Sequence, residues 1–315
     1  MRLAFVGYGE VARCFAAGLL EAGWPAGRIA AFYPATRARA AEVQRQAESE
    51  GVRLIGEPAS LAHADIVLSA VRPDTALEAA GTVIPHLPPG TVYADINSTS
   101  AALKQRIAAM ATERGIRFAD VALYGAAPIF RHRARMHASG DGAEPFRDAL
   151  APYGGNVRVL QGGPGAAAQF KMLRSVVLKG VAMLLAESMV AARQAGMEAE
   201  LLDELGATFE SLPFRRQAER WLTGSAEHAG RRVGEMDFVL ETLRGLGIRP
   251  WMTAATRESL RRIAAAGAGK AQTWQEALDT LAPAWLTEQH PDLRTEDRDG
   301  TPEMRRTDRA EELER

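Results

Sequence analysis

Lys171 stands six residues after Gly165, and Arg174, Ser175 and Lys179 follow it at i+3, i+4 and i+8. At about 100° per residue on a helix, these side chains form one polar stripe on an otherwise apolar stretch. Lysine beside a desolvated cleft can exchange a proton with a substrate hydroxyl, a step that arginine, with a pKa above about 12, does not perform readily. Lysine is also scarce: Lys104, Lys171, Lys179 and Lys270 are four among 38 basic residues. Lys104 and Lys270 read as surface positions. Lys179 reads either as a cation snorkelling from the helix edge or as a member of the Lys171 stripe.

A second group lies near the N-terminus, where Gly7-Tyr8-Gly9-Glu10-Val11-Ala12 fits the pattern G-x-G-x-x-G/A. Gly7 serves a tight turn, Gly9 clears the approach of a pyrophosphate, and Ala12 lets a helix pack closely on a sheet. The first N–H groups of that helix then face the phosphates. This arrangement predicts a dinucleotide site. The run Phe32-Tyr33-Pro34-Ala35-Thr36-Arg37-Ala38-Arg39 meets no acid before Glu42. An acid there would bind a ribose 2′-hydroxyl, and an arginine a 2′-phosphate. NADP is therefore preferred over NAD, with Thr36 and Arg37 as contacts.

The elements that must position these groups follow from the apolar runs. Residues 3–6, 28–33, 65–71 and 91–95 are continuous apolar stretches separated by amphipathic ones, with a helix from about Glu10 to Ala22. Strands buried on both faces and separated by helices mark a parallel sheet in a doubly wound α/β domain. Residues 117–122 and 157–160 add strands at its end. From Ala166 to about Ala195 there is no proline and one glycine, Gly180. That predicts a helix about 45 Å long, apolar on nearly every face and so expected to be buried between other elements. Lys171, Arg174, Lys179, Glu187 and Arg193 interrupt it and argue against a membrane span. Helices continue to about Leu286, and the charge-rich remainder predicts disorder. The expected architecture is α/β: an N-terminal Rossmann domain over residues 1–160, then a helical substrate and dimerisation domain over 161–286 that begins with the long interdomain helix. Residues 287–315 form a tail.

Composition excludes several classes. With 38 basic and 39 acidic residues, the net charge of -1 creates no global field toward nucleic acid or an anionic membrane. Cys14 alone cannot build a disulfide framework or a multi-cysteine metal site. His63, His86, His132, His137 and His290 lack ligand-like spacing, so no metal is expected. The N-terminal apolar run is too short and too broken for a signal peptide. A reducing, cytoplasmic setting is expected.

Over roughly residues 2 to 265 these landmarks resemble the β-hydroxyacid dehydrogenase superfamily, which includes 3-hydroxyisobutyrate and 6-phosphogluconate dehydrogenases. Asp95-Ile96-Asn97-Ser98-Thr99-Ser100 resembles its substrate-binding segment, which implies that Asn97 and Ser98 hold substrate polar groups. Asp120-Val121-Ala122-Leu123-Tyr124-Gly125-Ala126 resembles the second substrate segment, with Tyr124 and Gly125 where Ser-Gly-Gly is usual. The spacing from Gly163-Pro164-Gly165 to Lys171 implies a general acid/base at Lys171. Arg174 and Ser175 occupy the positions where an asparagine is usual. The stretch from His228 to Met236, continuing to Pro250, is similar to a poorly characterised branch with a phosphogluconate-dehydrogenase-like C-terminal domain, which also tends to carry Lys-Met-x-Arg, here Lys171 to Arg174.

The resemblance implies hydride transfer between a nicotinamide and a small hydroxy acid or its oxo form. The nicotinamide is expected at the carboxyl edge of the sheet near Val71, Arg72 and Asn97, with Ser98, Tyr124 and Arg174 as candidates to hold a substrate carboxylate or other oxyanion; Arg174 reads equally as a partner in an intramolecular salt bridge. A homodimer through the helical domain is expected; His228, Arg231 and Arg232 read either as completing the partner's pocket or as a loop histidine and two arginines on plain surface. Two alternatives stand beside this: an imine reductase, against which the retained Lys171 argues, and a non-catalytic NADP-sensing protein. Oxidative decarboxylation stays open.

Overall fold

Alternation along the first strand decides the layers: Leu3 and Phe5 pack into one apolar layer, Ala4 and Val6 into the other. Side chains of a strand point to opposite faces in turn, so a strand buried on both faces needs apolar residues at every position. In the computed structural model, which describes residues 1–267 and 269–286, the strands are β1 (Leu3–Val6), β2 (Ile29–Phe32), β3 (Arg53–Ile55), β4 (Ile66–Ser69), β5 (Val92–Asp95), β6 (Arg117–Tyr124), β7 (Arg135–Ser139) and β8 (Val157–Val159). They form one sheet in the order β3-β2-β1-β4-β5-β6-β7-β8. The first six run parallel, β7 is antiparallel to β6, and β8 is parallel to β7.

Helices cover both faces. They are α1 (Glu10–Glu21), α2 (Ala40–Ser49), α3 (Ala76–Val83), α4 (Ala101–Thr112), the single-turn α5 (Ala127–Phe130), α6 (Ala143–Leu150) and α7 (Ala166–Ala195). Phe15 and Leu19 of α1, Val43 of α2 and Phe146 of α6 share the layer with Leu3 and Phe5. Val83 of α3 and Ile107 of α4 share the other with Val6 and Tyr93. This is the anticipated doubly wound Rossmann arrangement. Strands β3 and β7 were not anticipated: β3 is three residues long with an exposed arginine, and β7 carries Arg135 and His137 within five residues.

The chain divides into two compact units, residues 1–179 and the chain from Gly180 on. In the second, the rest of α7 is followed by α8 (Glu198–Glu210), α9 (Phe214–Gly245), α10 (Trp251–Ala265) and α11 (Trp274–Trp285). Ala226, Ala229, Leu260, Ile263, Ala277 and Leu281 form its core. Glu187 of α7 caps α10: its carboxylate accepts Met252 N at 2.8 Å, Thr253 N at 2.9 Å and Thr253 Oγ1 at 2.6 Å. Burial pushes this carboxyl up, but the hydrogen bonds outweigh it and hold the group below its usual range.

Three expectations change here. Helix α7 has the anticipated limits, Gly165 and Gly196 both having positive φ beside its ends. It is not buried, however: Leu173 is 63% and Val176 72% exposed among the described residues. Its mean hydropathy reaches 1.7 over 18 residues, so by length and composition it is apolar enough to cross a membrane, and the interrupting charges do not take it out of that range. His228 is not in a loop but inside α9, at φ -113° and ψ 16°, where the helix kinks. Residues 287–315, expected to form a disordered tail, lie outside the described residues.

Candidate active site

The strand order reverses between β1 and β4, and at their carboxyl ends a cleft of about 570 Å³ opens. Ligands of open α/β sheets bind at such a switch point. Its lining draws on the ends of five parallel strands, through Gly7 after β1, Tyr33 after β2, Val71 after β4, Asn97 after β5 and Leu123 of β6, together with Lys171 of α7.

The glycine turn forms as the pattern required. Gly7 has φ +83°, and a Cβ there would lie 2.8 Å from the Ala70 carbonyl oxygen. Gly9 differs, since a Cβ would meet no protein atom within 4 Å and would project into open space. Gly9 also caps α1 with no side-chain hydrogen bond, which leaves first-turn N–H groups for an outside acceptor. Ala12 is fully buried against the sheet. Glu10 and Val11 line the cleft. Tyr8 lines it too, but its hydroxyl donates to Glu50 Oε2 at 2.7 Å, where Arg13 Nη2 also pairs with Glu50 Oε1 at 2.6 Å. Burial and the Glu50 carboxylate push the Tyr8 phenol well above its ordinary range. The Tyr8 side chain therefore anchors the turn to the end of α2.

Of the two residues expected to choose the cofactor, Arg37 lines the cleft and Thr36 does not. Arg37 Nη2 lies 3.4 Å from Glu78 Oε1, with both side chains exposed. Val71 and Arg72 line the same cleft, and Arg72 is paired with Asp74 on the surface.

Asn97 is buried and its amide is fully engaged in the scaffold. Its Oδ1 accepts Val71 N at 2.8 Å, and its Nδ2 donates to Ser69 Oγ at 3.0 Å and Asp95 Oδ2 at 2.8 Å. The side chain of this expected substrate and cofactor contact thus joins the β4 and β5 ends where they line the cleft. Ser98 is the polar group next to it that faces the lysine: Lys171 Nζ donates to Ser98 Oγ at 2.7 Å. Burial, and then the neighbouring Lys104 ammonium, lower the Lys171 amine below its usual value, with Asp120 opposing them. Ser175 donates to the Lys171 carbonyl at 2.9 Å and so is used within its own helix.

Tyr124 is buried beside the cleft. Its hydroxyl lies 3.2 Å from His137 Nδ1, and the guanidinium groups of Arg135 and Arg174 sit 5.4 Å and 5.2 Å from its ring centre. Burial raises the Tyr124 phenol against the pull of the two arginines. His137 is lowered by burial and by Arg158 and Arg135, and its ring packs edge-on against Phe170 at 4.9 Å. Neither Arg135 nor Arg174 forms an ion pair among the described residues. Gly125, at φ +91°, could not carry a side chain without meeting the Phe130 ring at 3.0 Å. His228 lies in the second unit; beyond it Arg231 pairs with Glu235, and Arg232 donates to Ser225 Oγ at 3.2 Å.

Sequence reasoning missed Lys104, Asp95, Asp120 and His137. Lys104 is wholly buried, not a surface residue. Its signal was indirect: each apolar run at β5 and β6 contains a buried acid, and a buried acid needs a partner.

Residues 2–158 match the family of the NAD-binding domain of 6-phosphogluconate dehydrogenase, and residues 192–263 match a domain of unknown function, DUF1932. A conserved hypothetical protein from Sinorhizobium meliloti 1021 is 30% identical, with 90% of this chain and 96% of that one covered and a TM-score of 0.59. A conserved protein of unknown function, whose structure is similar to 3-hydroxyacid dehydrogenases, is also 30% identical, over 91% of this chain and 100% of its own, with a TM-score of 0.58. An imine reductase from Streptomyces aurantiacus shares the fold at 18% identity, 89% and 99% coverage, and a TM-score of 0.71. The chain, with its nicotinamide-dinucleotide-binding fold, belongs to the β-hydroxyacid dehydrogenase superfamily, in the branch that joins a 6-phosphogluconate dehydrogenase NAD-binding domain to DUF1932.

Proposed function

We propose that the protein is an NADP-dependent oxidoreductase acting on a small hydroxy acid or its oxo form, with Lys171 as general acid/base. The observation that carries this reading is the 2.7 Å hydrogen bond from Lys171 Nζ to Ser98 Oγ, in a cleft whose other wall is the Gly7 to Ala12 turn.

The residues present fit a dinucleotide. The space that a Gly9 Cβ would fill and the uncapped start of α1 suit a pyrophosphate, and Arg37 suits a 2′-phosphate. A bound nicotinamide supplies hydride acceptance or donation. In the oxidative direction Lys171, as the neutral amine, takes the proton of the substrate hydroxyl while Ser98 Oγ fixes the amine's orientation. Burial favours that neutral amine. Arg174, beside the Tyr124 ring and without an ion pair among the described residues, suits the substrate's carboxylate. The reading includes a homodimer in which a second copy covers the exposed apolar faces of α7, since apolar patches of this extent are seldom left in water.

A screen of hydroxy acids, sugar acids and their oxo forms with NADP and NAD, followed at 340 nm, tests the reading. Turnover that disappears in Lys171→Met supports it. Turnover of cyclic imines with no hydroxy acid activity would favour the imine reductase alternative, and tight NADP binding with no turnover would favour the sensing one.

A further inference from the structure

Lys104, on α4, has a side chain 1% exposed, and Asp95 and Asp120 beside it are 0% exposed. Its Nζ lies 2.5 Å from Asp95 Oδ1, 2.7 Å from the Asp95 carbonyl oxygen and 3.3 Å from Asp120 Oδ1. Two hydrogen bonds to Asp95 and an ion pair with Asp120 thus hold a compact ammonium group, a geometry the planar fork of arginine does not reproduce. The second oxygen of each carboxylate reaches toward the candidate site. Asp95 Oδ2 accepts Asn97 Nδ2 at 2.8 Å, next to Ser98. Asp120 Oδ2 accepts Ala168 N at 2.8 Å, three residues before Lys171 in the first turn of α7. Ser139 Oγ steadies the same turn by accepting Ala167 N at 3.0 Å.

We propose that Lys104 is a positioning residue for Lys171: its buried ammonium ties the segment carrying Ser98 to the start of α7, and sets the charge that Lys171 faces. The proposal rests on the reading of Lys171 as the proton-transfer group. Removing the ammonium alone would leave two buried carboxylates without their cation, a costly arrangement. The charged groups acting on Lys171 are Lys104 from α4 and Asp120 from β6. Asp95 of β5 faces Lys104, His137 of β7 packs on Phe170, and Arg174 on the same helix sits over Tyr124. Burial and Lys104 favour the neutral Lys171 amine, and Asp120 favours the charged one. The two arms through Asp95 and Asp120 converge on the Lys171–Ser98 hydrogen bond, so one side chain governs both its geometry and its charge.

The test is trace acetylation of the full-length protein with acetic anhydride across pH, read at each lysine by peptide mass spectrometry. Only four lysines need assigning, and exposed Lys270 serves as the internal reference. In the native protein Lys171 should titrate below the ordinary lysine value of 10.5, and Lys104 should stay unreactive. In Lys104→Met/Asp95→Asn, which removes one buried charge of each sign, the Lys171 midpoint should rise by about one pH unit, lowering its reactivity at pH 8 about tenfold. Should that variant not fold, Asp120→Asn in the presence of Lys104 gives the opposite sign, a lower midpoint. A Lys171 midpoint that does not move in these directions, or Lys104 labelling at the rate of Lys270, overturns the proposal. None of these readings uses a substrate, so a protein without hydroxy acid turnover can still support the inference, and an active one can still refute it.

Discussion

The Asn97 side-chain carbonyl accepts the Val71 backbone N–H at 2.8 Å, joining the turn after β4 to the turn after β5 across the carboxyl edge of the sheet. Replacing Asn97 with Leu strands Val71 N and frees Asp95 Oδ2. The expected loss is about 1–3 kcal/mol in urea unfolding, together with weaker cofactor binding. A variant with wild-type stability and a raised substrate KM alone would instead give Asn97 a direct substrate contact.

The two glycines of the nucleotide turn should respond differently. Gly7→Ala meets both a positive φ and the Ala70 carbonyl, so the folded protein should be destabilised. Gly9 has φ -89° and ψ -168°, which alanine adopts without strain. Gly9→Ala should therefore keep its melting temperature within a few degrees while cofactor affinity, measured by fluorescence titration, falls at least about tenfold.

Lys171 must be a neutral amine to accept a hydroxyl proton. Oxidation should rise with pH through a midpoint below the ordinary lysine value of 10.5, and reduction, which needs the ammonium, should fall through the same midpoint. Lys171→Met should lower kcat by about 10²–10⁴-fold and leave the cofactor Kd within about twofold. Stopped-flow rates against pH check both.

Among the described residues Arg37 is held only by an exposed pair with Glu78 at 3.4 Å, so turning it toward a 2′-phosphate costs little. Arg37→Ala should raise the NADP Kd by about tenfold or more and leave the NAD Kd nearly unchanged. Equal effects on both would remove the basis for NADP preference.

Val176 is 72% exposed on α7. If a second copy covers this face, Val176→Glu buries a charge at that interface, and analytical ultracentrifugation should show monomer where the wild type sediments as a dimer. The far-ultraviolet circular dichroism should stay unchanged, because the residue belongs to no core cluster among the described residues.

Most strands that could be read from sequence are buried on both faces, β8 with its exposed Arg158 being the exception. Residues 29–32, 66–69 and 92–95 are apolar without a break or nearly so, and no solvated strand looks like that. Strand β3, with an exposed Arg53, and β7, with Arg135 and His137, have no such run. They are defined by the neighbour each pairs with. Helix α7 was legible in its limits, since glycines punctuate both ends, but not in its surroundings, because periodicity reports which faces are apolar and not what covers them. At the site, the Gly7 turn and Lys171 were legible from local spacing. Lys104 was not: Gln105 and Arg106 beside it make the segment look solvated, and its burial depends on acids from two separate strands.

The reversal of β7 has a consequence for how the mouth of the cleft can vary. Tyr124, the last residue of β6, pairs with Arg135, the first of β7. Because β7 runs the other way, it delivers its beginning to the edge where every parallel strand delivers its end. The short connection from Gly125 to Ala134 turns over that same edge. Insertions or deletions there alter what surrounds Tyr124 and Arg174 without lengthening any crossover of the parallel half, where the nucleotide turn sits. One end of the sheet is thus free to change its connections, while the other keeps the geometry of the nucleotide turn.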